Sequence, residues 1–324
     1  MRAQDIAATT LTRTDGAILD FSAALMDGHG FPIPDWKAVN AWADGAGVDI
    51  AAARNLARRA WLLHLRDATG GAMHVVETRN AMVLSSFDHR IALAAARYVS
   101  DVRGRIVQLL DGIGEFPAGE QSVMLVFDSR EDYYRYVANY YPDDGEFAFS
   151  GGMFINAGCP HFVGEKNDLS VLEPVIAHEM THNSVAHLSL PMWLDEGIAV
   201  NTESRLAFQP ANHQDAIEEI NKHHEFWSPE RVQEFWSGQS FLRTDEGNEL
   251  SYDMARHIVE LLGRDWPSFT RFARAARRED GGVAAAREML GLDLGQLAAT
   301  AIGMEEQKAW SPRPESWVTI EERA

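Results

Sequence analysis

The sequence predicts an α+β fold in which a small mixed sheet lobe is followed by a lobe made almost wholly of helices. Three observations predict it. Short apolar runs of strand length alternate with helical periodicity between residues 74 and 157. From Ser170 onward helical periodicity returns after every break, with no further strand-like run. A hydrophobic content of 46% over 324 residues suffices for a real core in one large domain or two modest ones.

Taken in order, residues 1–72 predict a mostly helical extension. Gly28, Gly30, Pro32 and Pro34 punctuate its first part, and helical patterning over residues 35–66 carries Trp36, Val39, Trp42, Leu56, Trp61 and Leu65. After the break at Gly70 and Gly71, residues 74–87 read as one or two strands. Residues 89–110 read as a helix with Ala92, Ala95, Ala96, Val99, Val102, Ile106 and Leu109 on one face. A continuous apolar strand is expected over 122–127, an aromatic-rich helix over 131–140 and another strand over 151–157. The helical part has expected breaks at 189–191, 208–212, 237–247, Gly263 and Gly291. The tail, residues 311–324, carries Pro312 and Pro314 and no readable signal.

Composition narrows the function. Forty-eight acidic against 29 basic residues give a formal charge of −19, which repels nucleic acid backbones and anionic membranes, so neither is expected as a partner. No stretch approaches the roughly 20 apolar residues of a membrane helix. Arg2, Asp5, Arg13 and Asp15 interrupt the first 20 residues, unlike a secretory leader, so a soluble, cytoplasmic protein is the expectation. Cys159 is the single cysteine, which excludes an intrachain disulfide and a thiolate cluster. Any bound metal must therefore use histidines and carboxylates.

Such residues are present. Ser170 and Glu173 have the spacing of a capping box, and Pro174 suits the first turn of a helix running to about His187. That helix carries His178, Glu179, Met180, Thr181 and His182. Histidines at i and i+4 stand one above the other on one face, where both can reach one zinc ion at about 2.0–2.1 Å. Val171, Val175 and Val185 share the stripe, so the pair is expected on an inward face, where unsatisfied imidazoles would be costly. Glu179 flanks the pair without having to bind the metal, the place for a general base acting on a metal-acidified water. At this chain's His and Glu content such a motif arises by chance about 0.03 times. A chance helix with self-satisfied core histidines is therefore the weaker alternative.

A catalytic zinc site needs a third protein ligand. The positions that a metzincin would fill with Gly and His are Val185 and Leu188, which excludes that class. His187 points about 140° away from His182 around the helix and reads as a helix-end histidine. A second helix opens Met192, Trp193, Leu194, Asp195, Glu196, Gly197. Both Asp195 and Glu196 have apolar neighbours one turn away, so periodicity does not choose between them.

HEMTH at 178–182 followed by WLDEGIAV at 193–200 resembles the gluzincin clan of metallopeptidases, particularly its bacterial peptidase MA-like domains with their Trp-x-x-Glu-Gly-x-Ala signature. The resemblance covers about residues 73–310, specific at these two motifs and pattern-level elsewhere. It implies a zincin-like catalytic domain with an edge strand over the cleft at 151–157, and one Zn²⁺ per chain held by His178, His182 and Glu196. Asp195 then stands behind the ligands and Glu179 is the general base. Tyr252 is implied as the donor to the developing oxyanion, with His257 as a weaker alternative. Gly151, Gly152 and Met153 resemble the edge-strand motif of gluzincin aminopeptidases, but Phe154 stands where that motif has a glutamate. The departure favours endopeptidase action on a peptide or protein substrate, with an extended peptide held along the strand.

Two other functions remain open on the sequence. One is a non-catalytic zinc-binding or interaction module, against which the retained Glu179 speaks; the other is a metal-dependent hydrolase of a non-peptide amide. His161, Cys159, His223, His224, Glu218 and Glu219 have no metal-ligand spacing partner and are expected in surface or loop roles.

Overall fold

The computed structural model describes residues 6–45, 49–140, 152–207, 216–305 and 308–317. The expected break at 208–212 and Gly151 lie outside them. The packing divides the chain into two units. The first comprises the described residues of Met1–Arg105, Phe116–Gly145 and Gly151–Asn183; the second those of Ile106–Glu115, Glu146–Ser150 and Ser184–Ala324. Among the described residues no helix is long and apolar enough to cross a membrane.

The first unit opens with two antiparallel hairpins ahead of its helices: β1 (Thr10–Thr12) with β2 (Ile18–Asp20), and β3 (Leu25–Gly28) with β4 (Phe31–Pro34). A helical reading of this region passes over them, because strands of three and four residues are too short to show a period. The second hairpin turns at His29 and Gly30, both at positive φ (52° and 85°), as a tight two-residue turn that matches strand twist requires. Helices α1 (Trp36–Ala43) and α2 (Ile50–Ala68) follow, each started by an aspartate, Asp35 and Asp49, that accepts from a backbone N–H three residues on. α2 buries Ala53, Ala57, Ala60, Trp61 and Leu65, and the Trp61 indole donates to the Pro32 carbonyl at 3.0 Å.

The sheet of this unit runs β5-β6-β7-β9-β8: β5 (His74–Glu77), β6 (Ala81–Ser85), β7 (Ser122–Phe127), β8 (Gly152–Asn156) and β9 (Pro160–Glu165). β6, β7 and β9 are parallel neighbours, while β5 and β8 pair antiparallel at the two edges. Every residue of β6 and β7 is buried, as continuous apolar runs at the centre of a covered sheet should be. α3 (His89–Leu109) turns Ala92, Ala95, Ala96, Val99 and Val102 inward, and α4 (Arg130–Val137) is capped by Ser129. β9 is the strand that periodicity missed. It carries His161, and Cys159 lies in the bend just before it; both are 1% exposed, so neither is a surface residue, and only Cys159 stands in a loop. The His161 Nδ1 donates to the Cys159 carbonyl and its Nε2 accepts from the Tyr136 hydroxyl, each at 2.8 Å. Burial pushes this imidazole down to about 4, so it is a neutral core residue.

Three arginines tie α2 and α3 to the segment leading into β7. Arg58 pairs with Glu120 and donates to the Gln121 carbonyl, Arg54 meets the other Glu120 oxygen at 2.7 Å, and Arg103 donates to the Pro117 and Glu120 carbonyls. Burial alone would raise the Glu120 carboxyl, but Arg58 and Arg54 outweigh it and leave it below its ordinary value.

The second unit is helical: α5 (Leu169–Val185) ends in it, and α6 (Met192–Leu206), α7 (Ala216–Phe226), α8 (Arg231–Ser237), α9 (Gly247–Leu262) and α10 (Trp266–Ala275) follow. Trp193, fully buried, sits edge-on to Trp236 and stacked on Phe272, and its indole donates to the Gly281 carbonyl at 3.0 Å. α6 packs closely on α9 at Gly197, where an added Cβ would lie 2.6 Å from the Ala255 carbonyl oxygen and 2.6 Å from Val259 Cγ2. Asn201, one turn on, bridges the Gly197 and Arg256 carbonyls at 2.8 and 2.9 Å. The tail begins packed, with Trp310 at 1% exposure and its carbonyl bonded to the Trp236 indole; residues 318–324 lie outside the described residues.

Glu120→Gln leaves Arg58 buried beside a neutral group and is expected to cost about 3–5 kcal/mol in denaturant unfolding at neutral pH. Because the folded carboxyl lies below its unfolded value near about 4.3, its contribution is present above that pH and is lost as pH falls through the folded value. The variant should lack this share of the acid sensitivity; equal stability of the two proteins would contradict the assignment. Gly197→Ala forces backbone apart and is expected to cost about 1–3 kcal/mol, where an exposed glycine-to-alanine change in a helix would stabilise. A rise in Tm on this substitution would refute the close contact.

Candidate metal centre

α5 starts at Leu169, with the N–H groups of Val171 and Leu172 bonded to the Asp168 carbonyl. Ser170 is thus already inside the helix and is not its cap. Pro174 falls in the second turn, where its missing N–H leaves the Ser170 carbonyl without its α-helical donor. The Glu173 carbonyl also accepts from the Tyr98 hydroxyl at 3.1 Å, which ties this turn to α3. The i, i+4 spacing stacks the His178 and His182 rings with centroids 4.8 Å apart and planes inclined by 72°.

The stripe bearing the histidines is not the inward one. Val171 is 50% exposed, Val175, His178 and His182 are half-buried, and the core-facing residues of α5 are Leu172, Ile176, Ala177, Met180 and Thr181. Val185, by contrast, is inward at 1% exposure as expected; Val171 and Val175 misled because an apolar residue on a helix is not bound to lie in a core. Glu179 is the more buried group, at 5% exposure, next to two half-open imidazoles. Gly152, at the start of β8, lies against the same helix: a Cβ there would be 2.8 Å from Val175 Cγ1, one turn before His178.

α6 follows Pro191 without a side-chain cap, and Asp195 and Glu196 are both half-buried. The residues split on geometry. The ligand atoms of His178, His182 and Glu196 all lie within 4.8 Å of one another, while Asp195 belongs to no such group among the described residues. Two imidazole nitrogens and one carboxylate oxygen form a donor set that could hold a divalent metal ion. Cys159 is buried in the other direction of this chemistry: burial raises its thiol, and no described metal-ligand group includes it.

Tyr252 lies in the second turn of α9, half-buried, with its ring edge-on to Phe241 at 5.2 Å. His187 lies past the end of α5, exposed, 3.8 Å from Glu115. His224 and Glu218 are exposed, as expected of surface residues. His223 is not: it is 2% exposed, accepts at Nδ1 from the Trp227 indole at 3.0 Å and contacts Asp253 Oδ2 through Nε2 at 2.8 Å. Burial alone would raise the Asp253 carboxyl, but His223, His257 and Arg256, in that order, hold it far below the usual carboxylate range. Glu219 also has partners after all, since its ligand atom lies within 4.8 Å of those of Asp253 and His257. Sequence reading missed Asp253; its signal was the i, i+4 spacing with His257 on α9, the same spacing that marks His178 and His182.

Comparison of the chain with protein-family models finds no match, and comparison with curated proteins finds none.

Proposed function

We propose that the chain is a zinc-dependent metallopeptidase of the gluzincin type on a zincin-like fold, with His178, His182 and Glu196 as the metal ligands. The observation that carries this reading is the gathering of those three donors, and not Asp195, into one group beside Glu179. Bound there, a zinc ion supplies a Lewis acid that acidifies water and polarises a carbonyl. Glu179 follows His178 in sequence and is not one of the three donors; its carboxylate is the base that takes the proton of the attacking water and returns it to the leaving amine. Tyr252 is the donor for the oxyanion, an interaction that strengthens as charge develops.

Substrate preference follows from β8. An edge strand takes an extended peptide by strand addition, and Gly152 sets β8 against α5 one turn before His178. Phe154 in this strand provides no carboxylate for a substrate amino terminus, which favours cleavage within chains. The half-open histidine stripe supports catalysis over a purely structural metal, because a catalytic metal needs a position open to substrate.

The test is zinc content beside hydrolysis of casein. Wild type and Glu179→Gln are both expected to hold about one tightly bound zinc, with hydrolysis chelator-sensitive in wild type and reduced at least about 10²-fold in the variant. Zinc missing from both proteins, or equal cleavage by both, overturns the reading. Glu196→Ala is expected to lose the tight zinc and Asp195→Ala to keep it; the reverse pattern would transfer the third ligand to Asp195.

A further inference from the structure

α7 and α9 build a second donor group from residues that the proposed peptidase site does not use. Glu219, Asp253 and His257 offer ligand atoms within 4.8 Å of one another, and all three are half-buried. Two features point this group at a cation. The first is how Asp253 is held. An indole N–H only donates, so the Trp227 contact makes His223 Nδ1 the acceptor and places the imidazole proton on Nε2, which donates to Asp253 Oδ2 at 2.8 Å. A buried neutral histidine thus orients the carboxylate, the arrangement that outer partners give to metal-binding carboxylates.

The second feature is a cation already in place. Arg256 donates from Nη2 to Asp253 Oδ1 and, at 2.8 Å, to His257 Nε2. Guanidinium has no acceptor, so His257 Nε2 presents its lone pair to a positive charge, and Asp253 Oδ2 stands 3.3 Å from the same nitrogen. Lone pairs of a carboxylate and an imidazole therefore converge on a positive group. Arg256 is 31% exposed at its side chain, and Glu260, one turn on, lies 4.0 Å from its other terminal nitrogen. The guanidinium can move to Glu260 and leave both lone pairs to an ion.

We propose that Glu219, Asp253 and His257 form a second divalent-cation site in which Arg256 is the resident cation that the metal displaces. Two carboxylates and one imidazole suit Zn²⁺, Co²⁺ or Mn²⁺. The site does not depend on the peptidase reading.

Equilibrium dialysis of the full chain against Zn²⁺, read by elemental analysis, tests it. Wild type is expected to reach two zinc ions per chain, and Asp253→Asn and His257→Ala one each. Arg256→Gln is expected to tighten the second site by about tenfold, because the competing cation is gone. Glu196→Ala is expected to retain this zinc, which separates failure here from failure of the peptidase site. If Asp253→Asn unfolds, the half-exposed Glu219→Gln serves instead. Wild-type zinc stoichiometry in His257→Ala and Glu219→Gln, or unchanged or weaker second-site binding in Arg256→Gln, overturns the proposal.

Discussion

At Gly197 the backbone of α6 approaches α9 so closely that one added carbon would meet the Ala255 carbonyl oxygen at 2.6 Å. Most of the chemistry of the second unit depends on this contact. With Gly197, Ile198 and Ala199 turned into the core, Glu196 is carried to the half-buried edge of α6. On the facing helix, Met254, Ala255 and Ile258 are spent on packing, which leaves Tyr252, Asp253 and His257 on its more open sides. A residue without a side chain thus sets the rotation of two helices that carry nearly all the candidate polar groups of this unit. The Asn201 side chain, bonded to both backbones, locks the same rotation.

The buried polar residues divide into two kinds. Glu120 with Arg58, and His161 with Tyr136 and the Cys159 carbonyl, are satisfied in place and bind parts of the sheet unit to one another. Their hydrogen-bond capacity is used up inside the fold, as burial demands. The His178 and His182 rings are half-buried, on the same helix as a carboxylate more buried than they are. A fold that needed these imidazoles only for packing would have turned them inward with Ile176 and Met180. Asp253 lies between the two kinds, oriented from inside by His223 and reached from outside by Arg256.

Long periodic segments were legible from sequence, and short or mixed ones were not. α3 and β7 declared themselves because alanines and valines at helical spacing, or six buried residues in a row, leave little choice of period. β9 was invisible because Pro160, His161 and Gly164 break the apolar run, and only the sheet around it supplies the partners that make a histidine tolerable there. The two hairpins before α1 escaped because strands of three and four residues span at most two repeats of the strand period, too few to establish an alternation. The i, i+4 pair on α5 was plain, yet Val171 and Val175 beside it pointed to the wrong environment: hydrophobic neighbours announce a face, not how deeply that face is buried. Between Asp195 and Glu196, local pattern had no power. The distinction is one of proximity in space, which spacing along the chain does not carry.

The central claim is that two imidazoles of α5 and one carboxylate of α6 bind one zinc ion. Zinc-edge X-ray absorption on the protein loaded with a single equivalent tests it most directly. The account predicts a first shell of nitrogen and oxygen at about 2.0–2.1 Å, with outer-shell scattering from two imidazoles and no sulfur. A shell with one imidazole or none, or with sulfur at about 2.3 Å, would contradict it.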